Sequence, residues 1–353
     1  MVKRRALWER WWFVLVCASL PGIAQERDVR VPSDLPELVT PETHVAIERG
    51  LAYLGRTQDR QGSWSNQGRY GAYPVAMTAL AGLAMLMDGN TPTQGRYAPQ
   101  VDRAVRYLMA SANPDGLIAR GESEGRPMFG HGFAMLFLSQ VLGMLDDPAR
   151  ERELQEILGR AVTLTGKAQS AGGGWYYTPN ANSDEGSVTI TQVQGLRSCR
   201  NAGVTVPKEV IDRAMHYLEQ SQNSDGGIRY ALNQRQGASR PAITAAAVCC
   251  WFNAGEYDHP RAKRALAFCK PSIKPDRTLG GHDFYAHLYL AQALYVSDDA
   301  YWKEYFPARR DVMLMSQRSD GSWWGDGVGD VYGTALALIV LQLPYHSLPI
   351  MQK

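Results

Sequence analysis

The sequence predicts an all-α fold made of six copies of one helical hairpin. Three observations predict it. The chain is self-similar at a period of roughly 50 residues, the range of repeat architectures. Apolar residues recur at helical spacing, as in Ala104, Tyr107 and Leu108 and again in Ala214, Tyr217 and Leu218. A Gly-rich turn separates the two helices of each copy.

The first element is of a different kind. Lys3, Arg4 and Arg5 precede an apolar stretch from Trp11 to Leu20, and Gly22-Ile23-Ala24 puts small residues where a signal peptidase cuts. This is the pattern of a secretory signal peptide, with cleavage expected after Ala24. Leu15-Val16 lacks the small residue that would precede a lipidated Cys17. Residues 1–24 are therefore expected to be removed, which makes the protein exported, periplasmic or extracellular. A linker follows over 25–41, then the repeats over 42–345 and a tail over 346–353. No later stretch of about 18 apolar residues predicts a membrane span in the mature chain.

Each repeat opens with a helix that often has Pro in its first turn: Pro41, Pro99, Pro207, Pro260 and Pro307. Pro suits that place because its missing N–H would be unpaired anyway. The turn then reads Gln58-x-x-x-Gly62-Ser63-Trp64, Gln169-x-x-x-Gly173-Gly174-Trp175 and Gln317-x-x-x-Gly321-Ser322-Trp323. A softer copy is Gln222-x-x-x-Gly226-Gly227-Ile228, and the turns around Gly116 and Gly280 keep only the Gly. Gly reverses the backbone at positive φ. The Gln amide can bond free groups at helix ends, and the indole can cover the turn. The second helix of each copy is richer in Ala and Leu.

These turns resemble the QW-type repeats of the squalene-hopene cyclase and protein prenyltransferase β-subunit superfamily. The resemblance covers about residues 42–345 and implies an (α/α)6 toroid, with six outer and six inner helices closed into a barrel. The repeats alone leave an open solenoid possible. Asp283-Phe284-Tyr285-Ala286-His287 to Leu294 and Tyr332-Gly333-Thr334 to Pro349-Ile350 look most like uncharacterised exported bacterial members.

Aligned by their apolar pattern, the second helices bring one polar column into register: Thr78, His131, Thr191, Thr244, His287 and Thr334. One turn earlier the column reads Pro74, Pro127, Ser187, Arg240, Asp283 and Asp330. In the superfamily these helix starts surround the cavity mouth. His131, His287, Asp283 and Asp330 are the candidate catalytic groups, and Tyr73, Thr78, Phe129, Arg240, Tyr285 and Tyr332 the candidate ligand contacts. Phe284 and His282 lie beside them. Each has a plainer reading: Thr bonds a carbonyl one turn back, Asp caps a helix, a buried His needs only a partner, and Arg240 is a solvated charge. His131 and His287 with Asp283 or Asp330 would suit a zinc-like ion. These residues come from separate repeats, so spacing gives no support, and no metal or cofactor is assigned.

The known chemistries of the family do not transfer. The Asp-x-Asp-Asp acid of a cyclase is missing; Asp146-Asp147 and Asp298-Asp299 do not complete it and read as loops or caps. The chain is also half the length of a two-barrel cyclase, which counts against cyclisation. Asp283-Phe284-Tyr285 resembles the approach to the zinc His of a prenyltransferase, but Ala286 fills that place. His287 comes one residue late, about 100° around the helix. The partner Asp-x-Cys and the thioester motif of complement-like toroids are absent. Carbohydrate-active (α/α)6 enzymes need two opposed carboxylates, whereas Asp283 and Asp330 lie on adjacent hairpins.

The chain has 353 residues, 37 Lys+Arg, 35 Asp+Glu and a formal charge of +2. That balance excludes a strongly basic nucleic-acid binder. Without residues 1–24 the charge is −1 over 329 residues, because Lys3, Arg4, Arg5 and Arg10 leave with Glu9. Cys199, Cys249, Cys250 and Cys269 then remain, read as buried thiols, with a Cys199–Cys250 bridge conceivable in an oxidising compartment. The sequence thus points to an exported toroid whose mouth binds an apolar or isoprenoid-like molecule, or a partner protein segment. The alternative is an enzyme of uncharacterised type, terpenoid-modifying or carbohydrate-active, using the His and Asp groups.

Overall fold

The computed structural model describes residues 30–350 apart from 67, 70, 122, 123, 180, 181, 235, 236, 298, 299, 346, 347 and 349. The export segment 1–24 and the pair Asp298-Asp299 lie outside the described residues.

Twelve α-helices form six hairpins among the described residues. The outer helices are α1 (Pro41–Thr57), α3 (Ala98–Met109), α5 (Pro148–Ala168), α7 (Lys208–Ser221), α9 (Pro260–Ser272) and α11 (Trp302–Ser316). The inner helices are α2 (Pro74–Met87), α4 (Pro127–Val141), α6 (Gly186–Asn201), α8 (Pro241–Asn253), α10 (Asp283–Val296) and α12 (Asp330–Gln342). Outer helices bury one face, and inner helices are buried almost all round. Each inner helix packs on the next, and α12 packs on α2. The ring is closed, which excludes the open solenoid.

The turn signature explains the closure. In each full copy the Gln amide donates twice. Gln58 Nε2 reaches Gly62 O in its own turn and Gln100 O in the next outer helix, both at 2.9 Å. Gln169 and Gln222 repeat this with Val210 O and Arg261 O. Gln317 does so across the seam, reaching Ala46 O of α1 at 2.9 Å. The indoles of Trp64, Trp175 and Trp323 donate to Leu54 O, Thr165 O and Met313 O, ten residues back in their own outer helix. These bonds satisfy carbonyls that a helix end leaves free. Gly62 has φ 92°, and a Cβ there would lie 2.5 Å from Arg103 O. Gly321, at φ 88°, meets Arg49 O in the same way and so presses the last turn onto the first helix.

Two expectations need correction. Pro307 lies inside α11 rather than in its first turn, because that helix starts at Trp302. The fifth turn has no left-handed Gly: Gly280 is not at positive φ. Counted back from Leu279, the fifth turn holds Ile273 and Arg277 where the first holds Gln58 and Gly62 before Trp64.

Candidate functional site

The polar column is a set of tethers. The turn N–H groups of Trp64, Ile228 and Trp323 donate to the Oγ1 atoms of Thr78, Thr244 and Thr334 at 3.0, 2.8 and 3.0 Å. In the third repeat Trp175 N–H donates to Thr189, not Thr191. The register slips there because α6 starts at Gly186 with Glu185 as N-cap, which puts Glu185 four residues before the tether. Thr191 instead donates to Val188 O. All these Thr side chains are buried.

His131 does the same work as the threonines. Its Nδ1 accepts from Ile118 N–H at 3.1 Å, so the proton sits on Nε2, which faces Thr165 Oγ1 at 2.9 Å. Full burial pulls its pKa down to about 4, so the ring is neutral. It lies between α4 and α5.

The fifth repeat differs. Leu279 N–H donates to Asp283 Oδ1 at 2.9 Å, so Asp283 replaces His287 as the tether. Asp283 Oδ2 takes Arg309 Nη2 at 2.6 Å, and His287 Nε2 lies 3.4 Å from Asp283 Oδ1. His287 Nδ1 pairs with Tyr305 OH at 2.6 Å. Burial would raise the Asp283 pKa, but the His287 hydrogen bond and the Arg309 charge hold it down to about 2. Burial also lowers the His287 pKa.

Asp330 lies elsewhere, ion-paired to Arg318 at 2.8 Å on the partly exposed rim. The structure therefore brings Asp283 and His287 together and leaves His131 and Asp330 apart from them and from each other. Arg240 is exposed at the N-cap of α8, and His282 is exposed at the N-cap of α10. Among the described residues no three His, Cys, Asp or Glu side chains gather to hold a metal ion. Cys199, Cys249, Cys250 and Cys269 are buried free thiols, so the Cys199–Cys250 bridge is not formed. Asp147 caps α5, as its loop-or-cap reading expected.

Aromatic side chains collect at the inner-helix starts. Tyr73 is the N-cap of α2, with left-handed φ 41°. Phe129 lies 5.8 Å from Tyr177, centroid to centroid, and the Arg126 guanidinium covers Tyr177 at 4.4 Å. The hydroxyls of Tyr177 and Tyr230 are bonded to each other. Tyr285 meets Tyr289 edge-on at 4.7 Å, and its OH points to Ser187 O at 3.5 Å. Burial, with the nearby Asp326 carboxylate, pushes the Tyr332 phenol well above its usual pKa.

Three carboxylates that sequence reasoning missed cap these helices. Glu185 accepts from Ser187 N–H and Val188 N–H at 3.0 and 2.9 Å. Asp326 accepts from Phe284 N–H and Tyr285 N–H at 3.2 and 3.4 Å. Glu124 accepts from Val75 N–H at 2.9 Å. Burial raises the pKa of all three against these bonds. Only Glu185 had a signal in the sequence, its place four residues before Thr189. Asp326 and Glu124 cap a helix of a neighbouring repeat, which no local pattern reports.

Residues 137–310 match the model of the squalene-hopene cyclase C-terminal domain. That span is just under half of the chain, and it supports the resemblance to the squalene-hopene cyclase-like α/α-toroid superfamily. A structure of the type II terpene cyclase MstE from Scytonema, holding its product merosterolic acid A, matches with TM-score 0.60. That match has 16% identity and covers 86% of this chain and 97% of MstE. The GH76A α-1,6-mannanase of Salegentibacter sp. HEL1_6 matches with TM-score 0.63 at 10% identity, over 86% of this chain and 99% of its own. At these identities the likeness shows the fold. A curated relative, drimenyl diphosphate synthase of Streptomyces showdoensis, is 27% identical over 204 residues. That match takes in 58% of this chain and 35% of the relative, so the chain spans about a third of its length. MstE also corrects the length argument: a type II terpene cyclase can have the size of this single toroid. The missing Asp-x-Asp-Asp motif stands as before.

Proposed function

We propose that the protein is an exported toroid that binds an apolar, isoprenoid-like molecule at the mouth formed by the inner-helix starts. It does so without the known cyclase or prenyltransferase chemistry. One observation carries this reading. Phe129, Tyr177, Tyr230, Tyr285 and Tyr332 gather at the helix starts and the turns before them, where the superfamily has its cavity mouth. Aromatic faces give large apolar area at low entropic cost. Ligand sites join such walls to a few polar groups, here the paired hydroxyls of Tyr177 and Tyr230 and the Arg126 guanidinium.

The chemistry around the mouth favours binding over catalysis. His131 and His287 spend ring nitrogens on structural partners. Glu185 and Asp326, the carboxylates beside the aromatics, accept helix N–H groups with both oxygens. The relatives support the ligand class: one MstE structure holds geranylgeranyl dihydroxybenzoate, and the curated relative is named for a drimenyl diphosphate.

The test is mass spectrometry of organic extracts of the purified protein before and after incubation with farnesol. The reading expects retained apolar ligand, lost in Phe129→Ala. Retention equal to that of an unrelated protein would overturn it.

A further inference from the structure

One outer-helix arginine is left out of a bond that its counterparts make. A Cβ on Gly62, Gly116, Gly173, Gly226 or Gly321 would run into the carbonyl of Arg103, Arg160, Arg213, Arg264 or Arg49, each on the next outer helix. Four of these arginines reach back to their turn. Arg103 Nη2 and Arg264 Nη2 donate to Gln58 Oε1 and Gln222 Oε1 at 2.6 and 3.0 Å. Arg213 Nη2 donates to Ser170 O at 2.6 Å, and Arg49 Nη2 to Ser319 O at 3.0 Å. Turn two has Ala112 where these turns have Gln, six residues before Ile118, so it offers no side-chain acceptor there. Arg160 is exposed and makes no hydrogen bond or ion pair among the described residues.

Arg160 instead lines a groove of about 740 Å³ on the outer face of α5. Glu156, Gly159, Arg160 and Lys167 form one side, and Pro114 and Asp115 of turn two form the other. A Cβ on Gly159 would meet nothing within 4 Å, so the groove lies open over the middle of the helix. From Glu156 to Lys167 the helix runs about 16 Å, the length of about five residues of extended chain. None of the lining residues is aromatic, so the groove has no platform for a flat or apolar ligand. Asp115 is fixed at the wall by accepting from Leu117 N–H at 3.0 Å. Glu156 and Lys167, like Arg160, have no ion-pair partner among the described residues. Arg160 and Lys167 balance Glu156 and Asp115, so the groove complements a ligand of mixed charge rather than a plain anion.

We propose that this groove binds an extended peptide segment of a partner protein, with acidic side chains for Arg160 and Lys167 and a basic one for Glu156. Arg160 and Lys167 lie about 10 Å apart along α5, so acidic residues two or three apart in an extended chain meet both. Turn two does not occupy the Arg160 guanidinium, which is left to grip a carboxylate with two parallel bonds. The site is on an outer helix and does not depend on the reading of the mouth.

The test mixes the purified protein with an equimolar pool of random-sequence hexapeptides and identifies the retained ones by mass spectrometry. Wild type should enrich, at least fivefold, peptides with two acidic residues two or three apart and a basic residue. Gly159→Phe fills the groove and should abolish the enrichment without lowering Tm, since nothing stands in its way and Gly is a poor helix former. The double variant Arg160→Glu/Lys167→Glu changes only exposed side chains and should select basic peptides instead. No enrichment by wild type overturns the proposal. Enrichment that survives Gly159→Phe, or is not reversed by the double variant, places the binding elsewhere and overturns it too. Purely acidic peptides retained as well as mixed ones would mean a simple anion site and overturn the peptide partner.

Discussion

Arg309 Nη2 lies 2.6 Å from Asp283 Oδ2, with both side chains buried in the ring wall. The five other outer helices hold Gly50, Ala104, Ala161, Ala214 and Ala265 at the position of Arg309, all buried. That position is four residues before the carbonyl that accepts the indole, as Met313 O does from Trp323. The fifth turn lacks the Gln and the left-handed Gly that bind the full-copy turns to the next outer helix. The ion pair joins the same two elements, turn five and α11, by another chemistry. Asp283 and His287 are accounted for as parts of that joint.

Removing Asp283 should leave Arg309 buried and unpaired. Breaking one side of a buried pair costs about 3–5 kcal/mol. Asp283→Ala should lose that much in urea denaturation, and Asp283→Ala/Arg309→Ala should recover part of it by restoring a small residue. A double variant no more stable than the single would count against the joint. The Asp283 pKa is lowered in the fold, so its contribution is complete above the ordinary carboxylate range. It should vanish as pH falls through about 2.

His131 should make the fold acid-sensitive. Its folded pKa is lowered to about 4, so it favours the folded state fully above its ordinary pKa of 6.5. Below that the unfolded chain takes up a proton that the folded chain refuses. Stability should fall by about 2 kcal/mol between pH 7 and pH 5 from this group. His131→Thr should remove that slope and keep an acceptor for Ile118 N–H, so it should cost less at pH 7 than His131→Ala. Equal slopes in wild type and His131→Thr would refute the neutral tether.

The seam should open first when its turn is damaged. Gly321→Ala forces a Cβ to 2.4 Å from Arg49 O at φ 88°. We expect a loss of more than about 1 kcal/mol and faster protease cleavage between α11 and α12. Unchanged cleavage would show that the ring does not depend on this contact.

Export is tested by sequencing the secreted chain, which should begin at Gln25. A secreted chain that still begins at Met1 would remove the export reading.

The fold was legible because its signals are local and repeated. Gln, Gly and Trp recur at fixed spacing, and their bonds run within a turn or to the next helix. The tether positions were legible except in α6, where Thr189 and Thr191 both fit the apolar pattern and only the helix start decides between them, and in α10, where Asp283 takes the place of His287. The joint at Arg309 was readable in principle, by aligning the outer helices ten residues back from each turn. The mouth was half legible. Phe129, Tyr285 and Tyr332 lie on helix starts, but Tyr177 and Tyr230 belong to turns that only the closed ring brings together. The Asp326 cap crosses between repeats, so spacing along the chain says nothing of it.

The most direct measurement is a crystal structure of the protein soaked with farnesol. The account predicts a prenyl chain against Phe129, Tyr177, Tyr285 and Tyr332, entering between the inner-helix starts. A chain bound only on the outer helices, or an empty mouth at saturating ligand, would contradict it.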